Sequence, residues 1–171
     1  MSYFVKKILP FALATVLTSN TYANPQIEYA VLNCHDGDTC QLKSPDNMKL
    51  KIRLIGIDAP EVANRKNKTS QPMGEESKNY INQLIKNKTV TLKNYTTDPF
   101  GRSLSEIYFN NENINLKMVQ AGMAEVYHGK MVKEFDVAPY LKAEQEAKNK
   151  KLGIWSLKNY QSPKEYRSSK K

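Results

Sequence analysis

Apolar and polar positions alternate most clearly over Lys49-Leu50-Lys51-Ile52-Arg53-Leu54, and the run then opens into Ile55-Gly56-Ile57. A period of two with an apolar continuation predicts a half-buried strand that enters the interior and delivers Asp58 to its end. Upstream, Ile27 to Leu32 and Cys40 to Leu42 read as short strands on either side of Asp36-Gly37, a dipeptide suited to positive φ in a tight hairpin, so the two arms are expected to pair. Val90 to Leu92 and Ser103 to Phe109 give two more strands, with a turn-like stretch from Thr96 to Gly101 between them and an Asn110-Asn111 turn after them.

The period becomes helical from Gly74, where Tyr80, Ile81, Leu84 and Ile85 share one stripe. A short helix from Ile114 ends at Gly122, a natural left-handed cap, and a last helix from about Ala138 to Lys151 carries Leu141, Ala143 and Ala147 among charges before stopping at Gly153. Residues 62 to 73 lack periodicity and read as a loop. Residues 157 to 171 hold few apolar groups and finish Arg167-Ser168-Ser169-Lys170-Lys171, which predicts a flexible basic tail. Strands first and helices late suggest an α+β fold built on a small antiparallel barrel.

The first 23 residues change this picture by dropping out of it. Lys6 and Lys7, the apolar stretch Ile8 to Leu17 and the Thr21-Tyr22-Ala23 ending have the build of a secretory signal cleaved after Ala23. The apolar run is shorter than the roughly 20 residues a bilayer requires, so export and no membrane span in the mature protein are expected. The organisation is then a signal over 1–23, one domain over 24–156 and the tail over 157–171, secreted or periplasmic. Removing the signal takes away two lysines and no acid, leaving 24 Lys+Arg against 17 Asp+Glu and a net charge of +7. Such a charge concentrates polyanions near the surface without saying which polyanion.

Two segments hold candidate chemistry: Asp36-Gly37-Asp38-Thr39, a turn after a strand, and Arg53 through Asp58-Ala59-Pro60-Glu61, a strand running into a proline-stiffened corner. Either alone reads as a turn or a loop. Together they allow three carboxylates and an arginine to converge, an oxygen-rich set suited to a hard cation such as Ca²⁺. Neither cysteine nor histidine clusters in a way that argues for zinc.

At these residues the chain resembles the staphylococcal nuclease family. Asp36-Gly37-Asp38-Thr39 is similar to its first signature and Arg53-Leu54-Ile55-Gly56-Ile57-Asp58-Ala59-Pro60-Glu61 to its second. Asp98-Pro99-Phe100-Gly101-Arg102, Gln120-Ala121-Gly122-Met123-Ala124 and Lys151-Leu152-Gly153-Ile154-Trp155-Ser156 follow in the family's order, so the resemblance covers about residues 30 to 156. It implies a five-stranded OB-fold barrel with about three packed helices, and an enzyme that hydrolyses DNA and RNA to 3′-phosphates; a monomer with no stable protein partner is the expectation beside it. Carried over by motif, Asp38, Asp58 and the backbone carbonyl of Ala59 bind Ca²⁺. Glu61 is the proposed general base, and Arg53 and Arg102 grip the scissile phosphate. The chemistry asks for such groups independently, because an anionic phosphodiester needs its charge neutralised, most strongly in the transition state.

Some positions depart from the family or stay open. Ala59 stands where the best-known member has threonine, which removes a hydroxyl and leaves the carbonyl; Pro99 and Phe100 replace a basic residue and a tyrosine. Tyr127 falls near the family's substrate-pocket tyrosines and reads as pocket or as core, while His128 reads as a solvated surface residue. Glu61 has an alternative reading as a salt-bridge partner of Arg65. Trp155 is expected to pin the last helix to the core. Lys148, Lys150 and Lys151 suit a helix C-terminus or a phosphate-tracking patch. Cys34 and Cys40 lie three residues either side of Gly37, so closure of the hairpin puts them opposite each other, and export lets a disulfide persist between them.

Overall fold

The computed structural model describes residues 26–65 and 68–170. The expected signal over residues 1–23, with its cleavage after Ala23, lies outside them.

The first strands follow the sequence pattern closely. β1 (Glu28–Cys34) and β2 (Thr39–Lys43) form the antiparallel hairpin, and β3 (Lys49–Leu54) adds to β2 with Thr39 opposite Arg53. Alternation has its expected consequence in β3: Ile52 and Leu54 are buried, while Arg53 between them faces the other way. A two-residue β4 (Ile57–Asp58) continues into the corner.

Helix α1 (Gly74–Ile85) buries Ile81 and Ile85 and leads to β5 (Thr89–Thr97), β6 (Ser103–Phe109) and β7 (Glu112–Asn113). The sheet order is β3-β2-β1-β5-β6-β7, and a parallel pairing of β3 with β6 closes five of these strands into a barrel. β5 runs five residues beyond Leu92, because its polar second half, mostly solvent-facing, pairs with β6 around a bulge between Asn94 and Thr96. Thr96 and Thr97, expected in a turn, are therefore strand.

Helix α2 (Ile114–Gln120) starts with Asn113 accepting a hydrogen bond from Leu116 N, and the chain leaves it through Gly122 at φ 66°. The short β8 (Glu125–Val126) pairs with β4, placing Asp58 opposite Glu125. Helix α3 (Ala138–Asn149) buries Tyr140, Ala143 and Ala147 but leaves Leu141 exposed. A 3-10 turn (Gly153–Ser156) follows and buries Ile154. Trp155 is half-buried, with Lys148 Nζ 4.4 Å from its ring centre and Tyr160 tilted against it at 4.8 Å.

Two expectations are corrected. The stretch expected to be a flexible tail contains a fourth helix, α4 (Pro163–Ser169), so four α-helices and the 3-10 turn pack on the barrel. Its signal is local: Ser162 and Glu165 form a reciprocal capping box, and Pro163 occupies the first turn, where its missing N–H costs nothing. Gly37 does not take a positive φ. A Cβ there would lie 1.9 Å from Ser77 Oγ and 2.7 Å from Ala59 Cβ, so glycine is required for close packing of the hairpin tip on α1 and the corner after β4.

Candidate active site

The hairpin tip, the end of β3 and the corner after β4 meet on one wall of a cleft of about 560 Å³. Asp36, Asp38, Arg53, Glu61, Arg102 and Tyr127 line it. A wider depression of about 830 Å³ beside β5 has Glu28 as its sole charged lining residue and holds none of this chemistry.

The hairpin turn is tied internally and to its neighbour. Asp36 Oδ1 accepts from Asp38 N at 3.1 Å, Leu54 N donates to the carbonyl of Asp38 at 2.8 Å, and Asp38 Oδ2 accepts from Ala59 N at 2.8 Å. The disulfide between Cys34 and Cys40 crosses the base of the turn, joining residues directly opposite each other whose Cα atoms are 3.9 Å apart. Asp38 is thus held from behind, by the bridge, and from the side, by the β4 corner.

Arg53 occupies the centre. One nitrogen pairs with Asp38 and the other donates to Asp58 Oδ1 at 2.9 Å, so a single planar guanidinium spans both aspartates. Burial pulls its pKa below the ordinary arginine value, opposed by the charges of Asp58 and Asp36. The same burial raises Asp36, against the pull of Arg53. Arg102 approaches from the β5–β6 turn. Asp98 fixes it, accepting from its backbone N at 2.9 Å and from Nε at 2.7 Å, and this leaves NH1 3.5 Å from Thr39 Oγ1. Parallel pairing of β3 with β6 brings the two arginines to the same wall.

Glu61 does not pair with Arg65. Its Oε1 accepts at 2.7 Å from Arg167 of α4, and Arg167 also donates to Asp58 Oδ1 at 3.1 Å and to Oδ2 at 2.8 Å. The bonds to Asp58, offset in part by burial, and those to Glu61 hold Arg167 above the ordinary arginine range. Tyr127 is 38% exposed on the cleft wall and so is not a core residue; His128 is exposed.

Sequence reasoning missed three participants. Arg167 was hidden by its low-complexity surroundings, although the Ser162-Pro163-Lys164-Glu165 cap was there to be read. Asp98 was noticed only as part of the Arg102 segment and proves to be what orients that arginine. Glu125, buried beside Asp58 and hydrogen-bonded by Tyr160, had no distinguishing local signal.

The donor set suits a hard cation: carboxylates from two separate segments face positive charge, and every candidate ligand is oxygen. Among the described residues no three His, Cys, Asp or Glu side chains close into a metal cage; Asp38 spends Oδ2 on Ala59, and Asp38 Oδ1, both Asp58 oxygens and Glu61 Oε1 turn to guanidiniums. A guanidinium sits where a cation would be answered. The residues therefore fit an oxygen-ligated cation once that positive group yields.

Residues 51–157 match the family model described as staphylococcal nuclease homologue. The chain is 35% identical over 142 residues to an uncharacterized endonuclease of Haemophilus influenzae, covering 82% of this chain and 73% of that one. It is 35% identical over 134 residues to a probable endonuclease lcl3 of Botryotinia fuckeliana and 34% identical over 124 residues to a probable endonuclease LCL3 of Eremothecium gossypii. These alignments cover 74% and 69% of this chain but 51% and 45% of the relatives, so it spans about half the length of the two fungal proteins. The matched stretch contains Arg53, Asp58, Glu61, Arg102 and Tyr127, while Asp38 and the β1–β2 hairpin of the closed five-stranded barrel precede it. On the family match and the barrel together, the chain belongs to the staphylococcal nuclease homologue family.

Proposed function

We propose that this member of the staphylococcal nuclease family, a phosphodiester hydrolase, is an exported, calcium-dependent endonuclease acting on DNA and RNA and leaving 3′-phosphates. The observation that carries the reading is the convergence of Asp38 and Glu61 with two separately anchored arginines, Arg53 and Arg102, on one cleft wall, with the buried Asp58 bonded to Arg53.

In this reading Asp38, Asp58 and the carbonyl of Ala59 hold Ca²⁺, which when bound neutralises phosphate charge and acidifies water beside it. Arg53 and Arg102 offer planar forks to the non-bridging phosphate oxygens, and their contribution grows as negative charge builds in the transition state. Arg102 is poised because Asp98 holds its Nε side, so little rotamer freedom is lost on engagement. Glu61, at the mouth of the corner, takes a proton from the attacking water. Water adds to phosphorus, the bond to the 5′ oxygen breaks, that oxygen takes up a proton from solvent, and the phosphate stays on the 3′ side. Tyr127 borders the same cleft and offers a ring and a hydroxyl to the nucleotide.

Incubating the purified protein with plasmid DNA and with RNA, in Ca²⁺ and in chelator, tests the reading. Cleavage of both in Ca²⁺ alone is the expected result. Binding without cleavage would leave an idle nucleic-acid-binding barrel in its place.

A further inference from the structure

The last helix brings a positive charge onto Asp58, which the proposed function reserves for a cation, and onto Glu61, its general base. Arg167 engages both oxygens of Asp58 and one of Glu61, all within 3.1 Å. Asp58 is almost fully buried, whereas the Arg167 side chain is 39% exposed. The carboxylate is thus a fixed part of the fold, and the guanidinium arrives from solvent on a short, separate element.

What docks that element is a small set of contacts. Tyr166 is buried and donates from its hydroxyl to the carbonyl of Thr69 at 2.9 Å; Pro163 is buried beside it. Gln71 Nε2 donates to the carbonyl of Gln161 at 2.7 Å, and Tyr160 hydrogen-bonds Glu125 just before the helix. α4 is seven residues long, too short to be stable without tertiary support. Arg167 also lies outside the stretch matched by the family model. A guanidinium forked onto both Asp58 oxygens and a divalent cation bound to the same carboxylate repel each other as like charges a few ångströms apart.

We propose that Arg167 is a tethered cation that competes with Ca²⁺ for Asp58 and ties up Glu61 beside it, making α4 an autoinhibitory latch whose docking and metal binding oppose each other. The proposal rests on the calcium reading of the site. Linkage makes the coupling reciprocal: closing the latch lowers apparent calcium affinity by the fraction of molecules left open, and calcium lowers the population of docked α4 by the same free energy.

The test uses the full chain without nucleic acid. Calcium titration by calorimetry compares wild type with Arg167→Gln, Arg167→Lys and Lys164→Gln, the last changing the charge of α4 at an exposed position away from the carboxylates. If the latch is closed nine-tenths of the time, Arg167→Gln binds Ca²⁺ about tenfold tighter. Arg167→Lys falls between, because an ammonium keeps the charge and loses the fork. Lys164→Gln matches wild type. In parallel, hydrogen exchange of residues 163–169 in the wild type quickens when Ca²⁺ is added. Equal calcium affinity in wild type and Arg167→Gln, with unchanged exchange of α4, overturns the latch and leaves the calcium site standing. Failure of both proteins to bind Ca²⁺ overturns the calcium reading and the latch with it.

Discussion

Two acidic centres in this protein are equally hidden from water and differently answered. Glu106 on β6 is buried, and its carboxylate accepts from Tyr140 at 2.7 Å, Asn113 at 2.7 Å, Tyr95 at 2.8 Å and Tyr108 at 3.2 Å, with Lys93 3.6 Å away. Asp58 at the end of β4 is as deeply buried, yet its side chain is answered by two guanidiniums, from Arg53 and Arg167. Neutral donors set into strands and helices satisfy a carboxylate permanently. A carboxylate answered only by cations keeps a strong demand for positive charge, and one cation can be exchanged for another. The first arrangement ties β5, β6, β7 and α3 together; the second is what a site for a metal and a polyanion requires.

The sharpest way to break the comparison is to remove the charge on the exchangeable side. Asp58→Asn and Asp38→Asn are expected to lower calcium-stimulated cleavage on the order of 10³-fold, with circular dichroism unchanged. Full activity in both variants would move the metal elsewhere. Next, Glu61→Gln is expected to reduce kcat by roughly 10²- to 10⁴-fold, the range for a general base, and Arg53→Ala and Arg102→Ala by roughly 10²- to 10³-fold. Rates on a defined DNA substrate at saturating Ca²⁺ check this; wild-type kcat in all three would remove the mechanism and keep the fold.

On the structural side the readout is stability. Glu106→Gln loses charged hydrogen bonds and is expected to cost about 3 kcal/mol in urea unfolding, with little change in cleavage of the folded fraction. Burial alone would raise the Glu106 pKa, but the bonds from Tyr140, Tyr95 and Asn113 and the charge of Lys93 outweigh it and leave it below the ordinary glutamate value. A depressed folded-state pKa stabilises the protein above the unfolded value of about 4.3, and that contribution disappears as pH falls through the folded pKa. The gap between wild type and variant should therefore narrow on acidification from pH 7 to pH 3. Parallel curves over that range would mean that another group carries the acid sensitivity.

The smallest expected effect belongs to the disulfide. Cys34 and Cys40 are six residues apart, so the bridge closes a short loop and reduction should cost about 2 kcal/mol of global stability or less. Because it clamps the turn that carries Asp38, calcium affinity should respond to reduction more than the unfolding midpoint does. Titrating Ca²⁺ before and after reduction, with the midpoint measured on the same samples, decides between a clamp on the ligand and a plain staple.

Much of this was legible in the residues alone, for reasons local to the chain. Alternation over Lys49–Leu54 foretold β3 and the separation of Arg53 from its buried neighbours, and the helical stripe after Gly74 foretold α1. The Asn110-Asn111 turn, with both residues at positive φ, was visible in its dipeptide. The family-like signatures named Asp38, Arg53, Asp58, Glu61 and Arg102, and folding brings all five together. Less legible were the polar second half of β5, whose strand state depends on pairing with β6, and the role of Gly37, set by how closely α1 and Ala59 pack against it.

By itself the sequence determined the periods, the caps, the turn residues and the inventory of charges, because these act over a few neighbouring positions. Only the tertiary structure decided which charge answers which. Asp58 and Arg167 are 109 residues apart, and no local pattern relates them until the β4 corner and α4 meet in space. Capping could predict that residues 163–169 turn into a helix; its destination depended on where Tyr166 found a buried seat and where a desolvated carboxylate still called for positive charge.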